Sequence, residues 1–123
     1  MADTSENSID GTWQLVRAEL DGESAHELVT TNTVLELNRG TYAVRYAGEV
    51  TDQGTFELAD KPPPTMVMHR RDGPNASRTI RGIYQRTGDR LRICYGLNGD
   101  APTAFSTSAG QQRYLAIYRR QYV

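Results

Sequence analysis

Apolar residues recur at short, strand-like spacing along most of this chain, and no run of a dozen residues sustains a helical period. The alternation predicts an all-β protein. Gly11 to Leu20 (GTWQLVRAEL) is the first strand and holds the only Trp, and Arg113 to Val123 is the last. Between them, Thr33 to Leu37 and Thr41 to Tyr46 flank Asn38-Arg39-Gly40, a tight hairpin signal. With Arg39 and Gly40 as the central residues, Leu37 pairs with Tyr42 and Leu35 with Val44. All four then share one face, which is the core face. Gly54 to Leu58, Met66 to Arg70, Arg78 to Arg86 and Arg90 to Leu97 complete a set of eight strands.

The turns set which residues face inward. A two-residue turn at Gly48-Glu49 places Phe56 opposite Tyr42, so the register needs one extra residue. Gly54 is the expected bulge, returning Phe56 and Leu58 to the inside. In the next strand Met66 and Met68 share a side. Whether the turn after Arg86 is built on Thr87-Gly88 or Gly88-Asp89, Ile80, Gly82 and Tyr84 share a face with Leu91, Ile93 and Tyr95. Arg81, Gln85, Arg90, Arg92 and Cys94 fall on the other. Ser24 to Val29 (SAHELV) is the one helix predicted, short and capped by Ser24. Pro62 to Pro64 form a stiff connector, Asp72-Gly73-Pro74-Asn75 a turn, and Asn98 to Gln112 the longest loop.

Eight short antiparallel strands joined mostly by hairpins favour an up-and-down barrel, because closure removes exposed sheet edges; a sandwich is the alternative. If the first and last strands pair, Trp13 lies opposite Arg119 and Arg120. A guanidinium over its ring then caps that end through a cation–π contact.

Length and charge narrow the classes. A chain of 123 residues forms one domain, here residues 11–123 behind a polar, disordered leader at 1–10. A net charge of −1 and no basic tail argue against nucleic acid. Met1 to Asp10 lacks the basic and apolar regions of a signal peptide or membrane anchor, and the single cysteine, Cys94, excludes an internal disulfide framework. A cytoplasmic location is expected. Lys61, the only lysine, sits beside three prolines in a loop, which disfavours Schiff-base chemistry.

Gly11-Thr12-Trp13 with a late Arg is similar to the lipocalin or calycin signature. More specifically, the chain resembles a family of uncharacterised bacterial lipocalin-like domains, abundant in planctomycete genomes. The resemblance is carried by GTW at 11–13, DG at 21–22, GTFEL at 54–58, GIY at 82–84, GDRLRICY at 88–95 and PTAFS at 102–106. It spans nearly everything from Gly11 to Arg120. The resemblance implies a lipocalin-like eight-stranded antiparallel barrel with one short helix after the first strand, and brings no activity with it. The family's last motif usually has an acid before its Phe, where this chain has Ala104.

No constellation of acid, base, nucleophile or metal ligand emerges. His26 and His69 lack metal-binding spacing, and His69, the only candidate haem ligand, falls on the side of its strand opposite Met66 and Met68. Cys94 falls on the outer face and reads as a plain surface or half-buried cysteine, with a thiol pKa lowered by nearby arginines as the alternative. Ser106, Thr107 and Ser108 lack a nucleophile elbow. The arginine set Arg81, Arg90 and Arg92 with Gln85 reads as a solvated exterior balanced by neighbouring carboxylates, or as a site for an acidic partner or phosphate. Asn75-Ala76-Ser77 fits the glycosylation sequon, without meaning in a bacterial cytosolic protein.

The remaining candidate is the interior: Tyr42, Tyr46, Met66, Met68, Tyr84 and Tyr95, with Phe105 from the long loop as a lid. Polar-tipped aromatics and adaptable methionines suit a small, partly apolar ligand. An eight-stranded barrel is also just wide enough for its own side chains to fill. The first expectation is therefore non-enzymatic binding of a small hydrophobic or amphipathic molecule, with no cofactor and no metal. The alternative is a filled barrel acting as a structural or protein-interaction domain, possible as a homodimer. An enzyme ranks third.

Overall fold

A computed structural model describes residues 9–59, 63–71 and 79–122. The prolonged alternation of Gly11–Leu20 forms β1, which pairs along its length with the last strand. Its first residues also pair with β3 (Thr33–Asn38), and its last two with the two-residue strand β2 (Glu23–Ser24). From β3 the chain runs up and down through β4 (Thr41–Tyr46), β5 (Glu49–Ala59), β6 (Thr65–Arg70), β7 (Thr79–Thr87), β8 (Arg90–Gly96) and β9 (Arg113–Gln121). Every neighbouring pair is antiparallel. Because β9 returns to β1, eight strands close into a barrel and β2 is an appendage.

The expected hairpin registers hold where turn chemistry is strongest. Leu37 pairs with Tyr42 and Leu35 with Val44, across Arg39 and Gly40, both at positive φ as a two-residue I′ turn requires. Gly82 pairs with Tyr95 and Tyr84 with Ile93, so Gly88-Asp89 is the turn.

Other elements differ from expectation. The turn between β4 and β5 is Ala47-Gly48, not Gly48-Glu49, and both residues have positive φ. A bulge does bring Phe56 inside, but it lies between Val50 and Asp52, opposite Val44 and Arg45, rather than at Gly54. Gly54 has a different reason to be glycine: a Cβ there would strike the His69 carbonyl of β6 and the Tyr42 ring. Leu58 shares the inward phase of Phe56 yet remains 42% exposed near the end of its strand. The helix α1 spans Glu27–Asn32 and is capped by His26, whose Nδ1 accepts the Leu28 N–H at 3.0 Å. Ser24, the expected cap, is instead paired with Glu19 in the β1–β2 ladder. Gln14 Nε2 ties α1 down by donating to the Thr30 and Thr33 carbonyls at 2.7 and 3.1 Å.

One end of the barrel is sealed around Trp13, which is fully buried. Its Nε1 donates to the Ile9 carbonyl at 2.8 Å, and the Arg120 guanidinium lies 4.3 Å from its ring. Arg120 Nη1 also donates to the Asp10 carbonyl at 2.6 Å. Arg120 is thus the capping arginine, while Arg119 is exposed on the outer face. Gly11 sits at φ 142°, and a Cβ there would come within 2.7 Å of Arg120 Nη1. Ile9 is itself buried, so the last residues of the expected leader belong to the core. Residues 1–8, Lys61, Pro62, the turn at 72–75 and the sequon at 75–77 lie outside the described residues.

Replacing Trp13 by Ala removes the seal and a fully buried ring, and should cost about 3–5 kcal/mol of stability. Chemical denaturation checks this; an unchanged midpoint would contradict the sealing role.

Candidate functional site

At the end away from Trp13 the core does not fill the barrel. A cavity of about 200 Å³ remains, with Val44, Met68, Ile80 and Leu97 as its apolar lining. Four tyrosines share it: Tyr42 from β4, Tyr95 from β8, and Tyr114 and Tyr118 from β9. Tyr95 and Tyr114 face each other in the ladder and stack with centroids 5.9 Å apart. Alternation explains this wall, since Tyr114, Ala116 and Tyr118 point one way along β9.

The polar part of the lining is Thr33, Asp52 and Arg70. Arg70 follows Met66 and Met68 at the two-residue period, and Asp52 precedes Gly54 and Phe56 in the same way, so both turn inward. The pair lies 3.2 Å apart between Arg70 Nε and Asp52 Oδ2, with each side chain about a quarter exposed. Tyr42 donates its hydroxyl to Asp52 Oδ1 at 3.3 Å. Burial, and then the Asp52 carboxylate, push the Tyr42 pKa up to about 12. Burial likewise raises those of Tyr95, Tyr114 and Tyr118, so all four phenols are neutral at ordinary pH.

Of the seven residues expected at the site, Tyr42, Met68 and Tyr95 line the cavity together. Met66 and Tyr84 are buried in the same core but do not line it. Tyr46 is 41% exposed and does not line it either, because it lies at the last position of β4, where the strand leaves the barrel. Phe105 is not a lid. It packs on the outside of the barrel against Ile83, Cys94 and Leu115, with the Arg92 guanidinium 4.0 Å from its ring. The long loop is drawn there because Ile83, Cys94 and Leu115 form an apolar row across the outer faces of three strands. Gly22 N–H donates to Thr107 Oγ1 at 2.8 Å, fastening the loop to the β1–β2 turn.

Cys94 is on the outer face, as expected, yet it is fully buried beneath this loop. Burial raises its thiol pKa and outweighs the lowering effects of the Ser106 backbone and Arg113, against the alternative of an arginine-activated thiol. His69 is on the outer wall, between Glu57 and Thr79. The outer arginines are not balanced as expected either. Arg92 Nε donates to Gln85 Oε1 at 2.7 Å and Arg81 Nη1 to the Gly99 carbonyl at 3.2 Å. Arg90 stands directly across from Arg119. Among the described residues, none of these four forms an ion pair with a carboxylate.

No three His, Cys, Asp or Glu side chains among the described residues are grouped so as to hold a metal ion. No helix among them is long and apolar enough to cross a membrane. No protein-family model matches the chain, and no curated protein does.

The tyrosines leave a signature in alkali. Tyr42 titrates near 12 in the folded protein against 10.0 for its ordinary value, so the unfolded chain loses this proton first. The stabilisation is complete below pH 10 and is lost as pH rises towards 12. Stability measured across that window should fall, and Tyr42→Phe should make the fall shallower. Equal slopes in the two proteins would remove Tyr42 from the effect.

Proposed function

We propose that this protein is a lipocalin-like carrier that holds a small hydrophobic or amphipathic molecule inside its barrel without covalent chemistry. The observation that carries the reading is the cavity of about 200 Å³ between the tyrosines and the Arg70–Asp52 pair. Small barrels either pack their interior with side chains or keep room for one small ligand, and this interior keeps room. A cavity of roughly 150 Å³ is enough for one benzene ring. The ligand is therefore of about one-ring size. Its apolar body rests on Val44, Met68 and Ile80, and the tyrosine hydroxyls meet its polar atoms.

Native mass spectrometry after gentle purification tests this directly: a small adduct should be retained and then lost on denaturation. Val44→Phe, which fills the cavity from its wall, should weaken binding of that molecule at least tenfold, whereas Arg90→Ala on the outer face should leave it unchanged. The reverse pattern would move the site to the outer wall.

A second reading, as an interaction domain that self-associates, is favoured by the distribution of charge. Among the described residues, those up to 59 hold nine acidic and three basic side chains, and those from 63 onward hold nine basic and two acidic ones. Since consecutive long strands are neighbours around the barrel, these halves become an acidic wall and a basic wall. The two walls of different copies are complementary. Sedimentation should then show a larger mass at about 20 mM salt than at about 500 mM, where the Debye length is a few ångströms. A monomer at both would dismiss self-association and leave the carrier reading intact.

A further inference from the structure

The polar end of the cavity restricts what kind of molecule fits there. Arg70 pairs directly with Gly54 of β5 and lines the cavity together with Asp52. Arg70 Nε donates to no aligned acceptor and is shielded from solvent beside Asp52 Oδ2, 3.2 Å away, so a molecule in the cavity does not reach it. The Arg70 charge is compensated within the lining, and the hydrogen-bonding groups left to a ligand are the tyrosine hydroxyls. Asp52 is already engaged by the Tyr42 hydroxyl. The Arg70–Asp52 pair is neutral overall, and the tyrosines around it are neutral as well. A ligand carboxylate placed against Arg70 would bring a second negative charge beside Asp52 in a partly desolvated space. An oxygen that carries no charge meets no such penalty.

Resting on the carrier reading, we infer that the cavity selects an uncharged molecule of about one ring that carries an acceptor oxygen, such as an alcohol, aldehyde or ketone. Its oxygen meets the tyrosine hydroxyls of the lining and its hydrocarbon part lies on Met68 and Ile80. Asp52 acts as the selectivity element: it compensates Arg70 and excludes anions.

Three ring probes of similar size test this at pH 7, titrated into the full chain and followed by amide chemical shifts: toluene, benzyl alcohol and benzoate. Benzyl alcohol should bind at least tenfold more tightly than benzoate and several-fold more tightly than toluene. Asp52→Asn, which leaves the Arg70 charge uncompensated, should move the benzyl alcohol to benzoate ratio at least tenfold towards benzoate. Benzoate binding as tightly as benzyl alcohol to the unmodified protein would overturn the inference without any variant. So would toluene and benzyl alcohol binding equally, although the carrier reading would survive that result. Failure of all three probes to shift the cavity residues of the folded protein would overturn both readings together.

Discussion

Closure of β1 on β9 is the constraint on which the rest depends. It turns a meander with two unpaired edges into a barrel with an inside and an outside, and the Trp13–Arg120 stack seals one end of it. Trp13 donates to the carbonyl of Ile9, while Arg120 spans from the Trp ring to the Asp10 carbonyl. Gly11 makes the approach of Arg120 possible by lacking a side chain. The first and last strands are thereby joined at a point where an apolar ring, a cation and two backbone carbonyls satisfy one another. Because this end is plugged, free space can survive only at the other.

That other end is polar for a reason of register. A single extra residue between Val50 and Asp52 shifts the phase of β5, which brings Phe56 into the core and also turns Asp52 inward. Gly54, two residues on, leaves room for the His69 carbonyl and the Tyr42 ring, and its partner on β6 is Arg70. The bulge in β5 and the two-residue period of β6 thus place an ion pair in an otherwise largely apolar wall. The tyrosines of β8 and β9 complete a lining that is apolar in area and capable of hydrogen bonding at its surface.

The outer wall follows a separate logic. Ile83, Cys94 and Leu115 form an apolar patch on the outside, and the long loop covers it with Phe105. The loop therefore serves the exterior of the barrel. The arginines around it interact with carbonyl and amide oxygens and with an aromatic face, so the basic wall keeps much of its charge.

Much of this architecture was determined by the sequence itself. The two-residue period, the Arg39-Gly40 turn and the Gly88-Asp89 turn are local signals, and local signals survive in a linear reading: they yield eight strands, most inward faces, and the opposition of Trp13 to the final arginines. Tyr42, Met68 and Tyr95 were legible as site residues on the same grounds. Asp52, Arg70, Tyr114 and Tyr118 carried the same alternation, but polarity made the first two look external, and the last strand offered no turn from which to count its phase. The start of α1, the position of the bulge and the location of Phe105 were decided only by the tertiary structure. Each depends on groups far apart in sequence: Glu19 takes Ser24 into a ladder, β4 decides where β5 gains its extra residue, and an apolar row across three strands draws the long loop to the outside. Distance along the chain hides such competition, and packing resolves it.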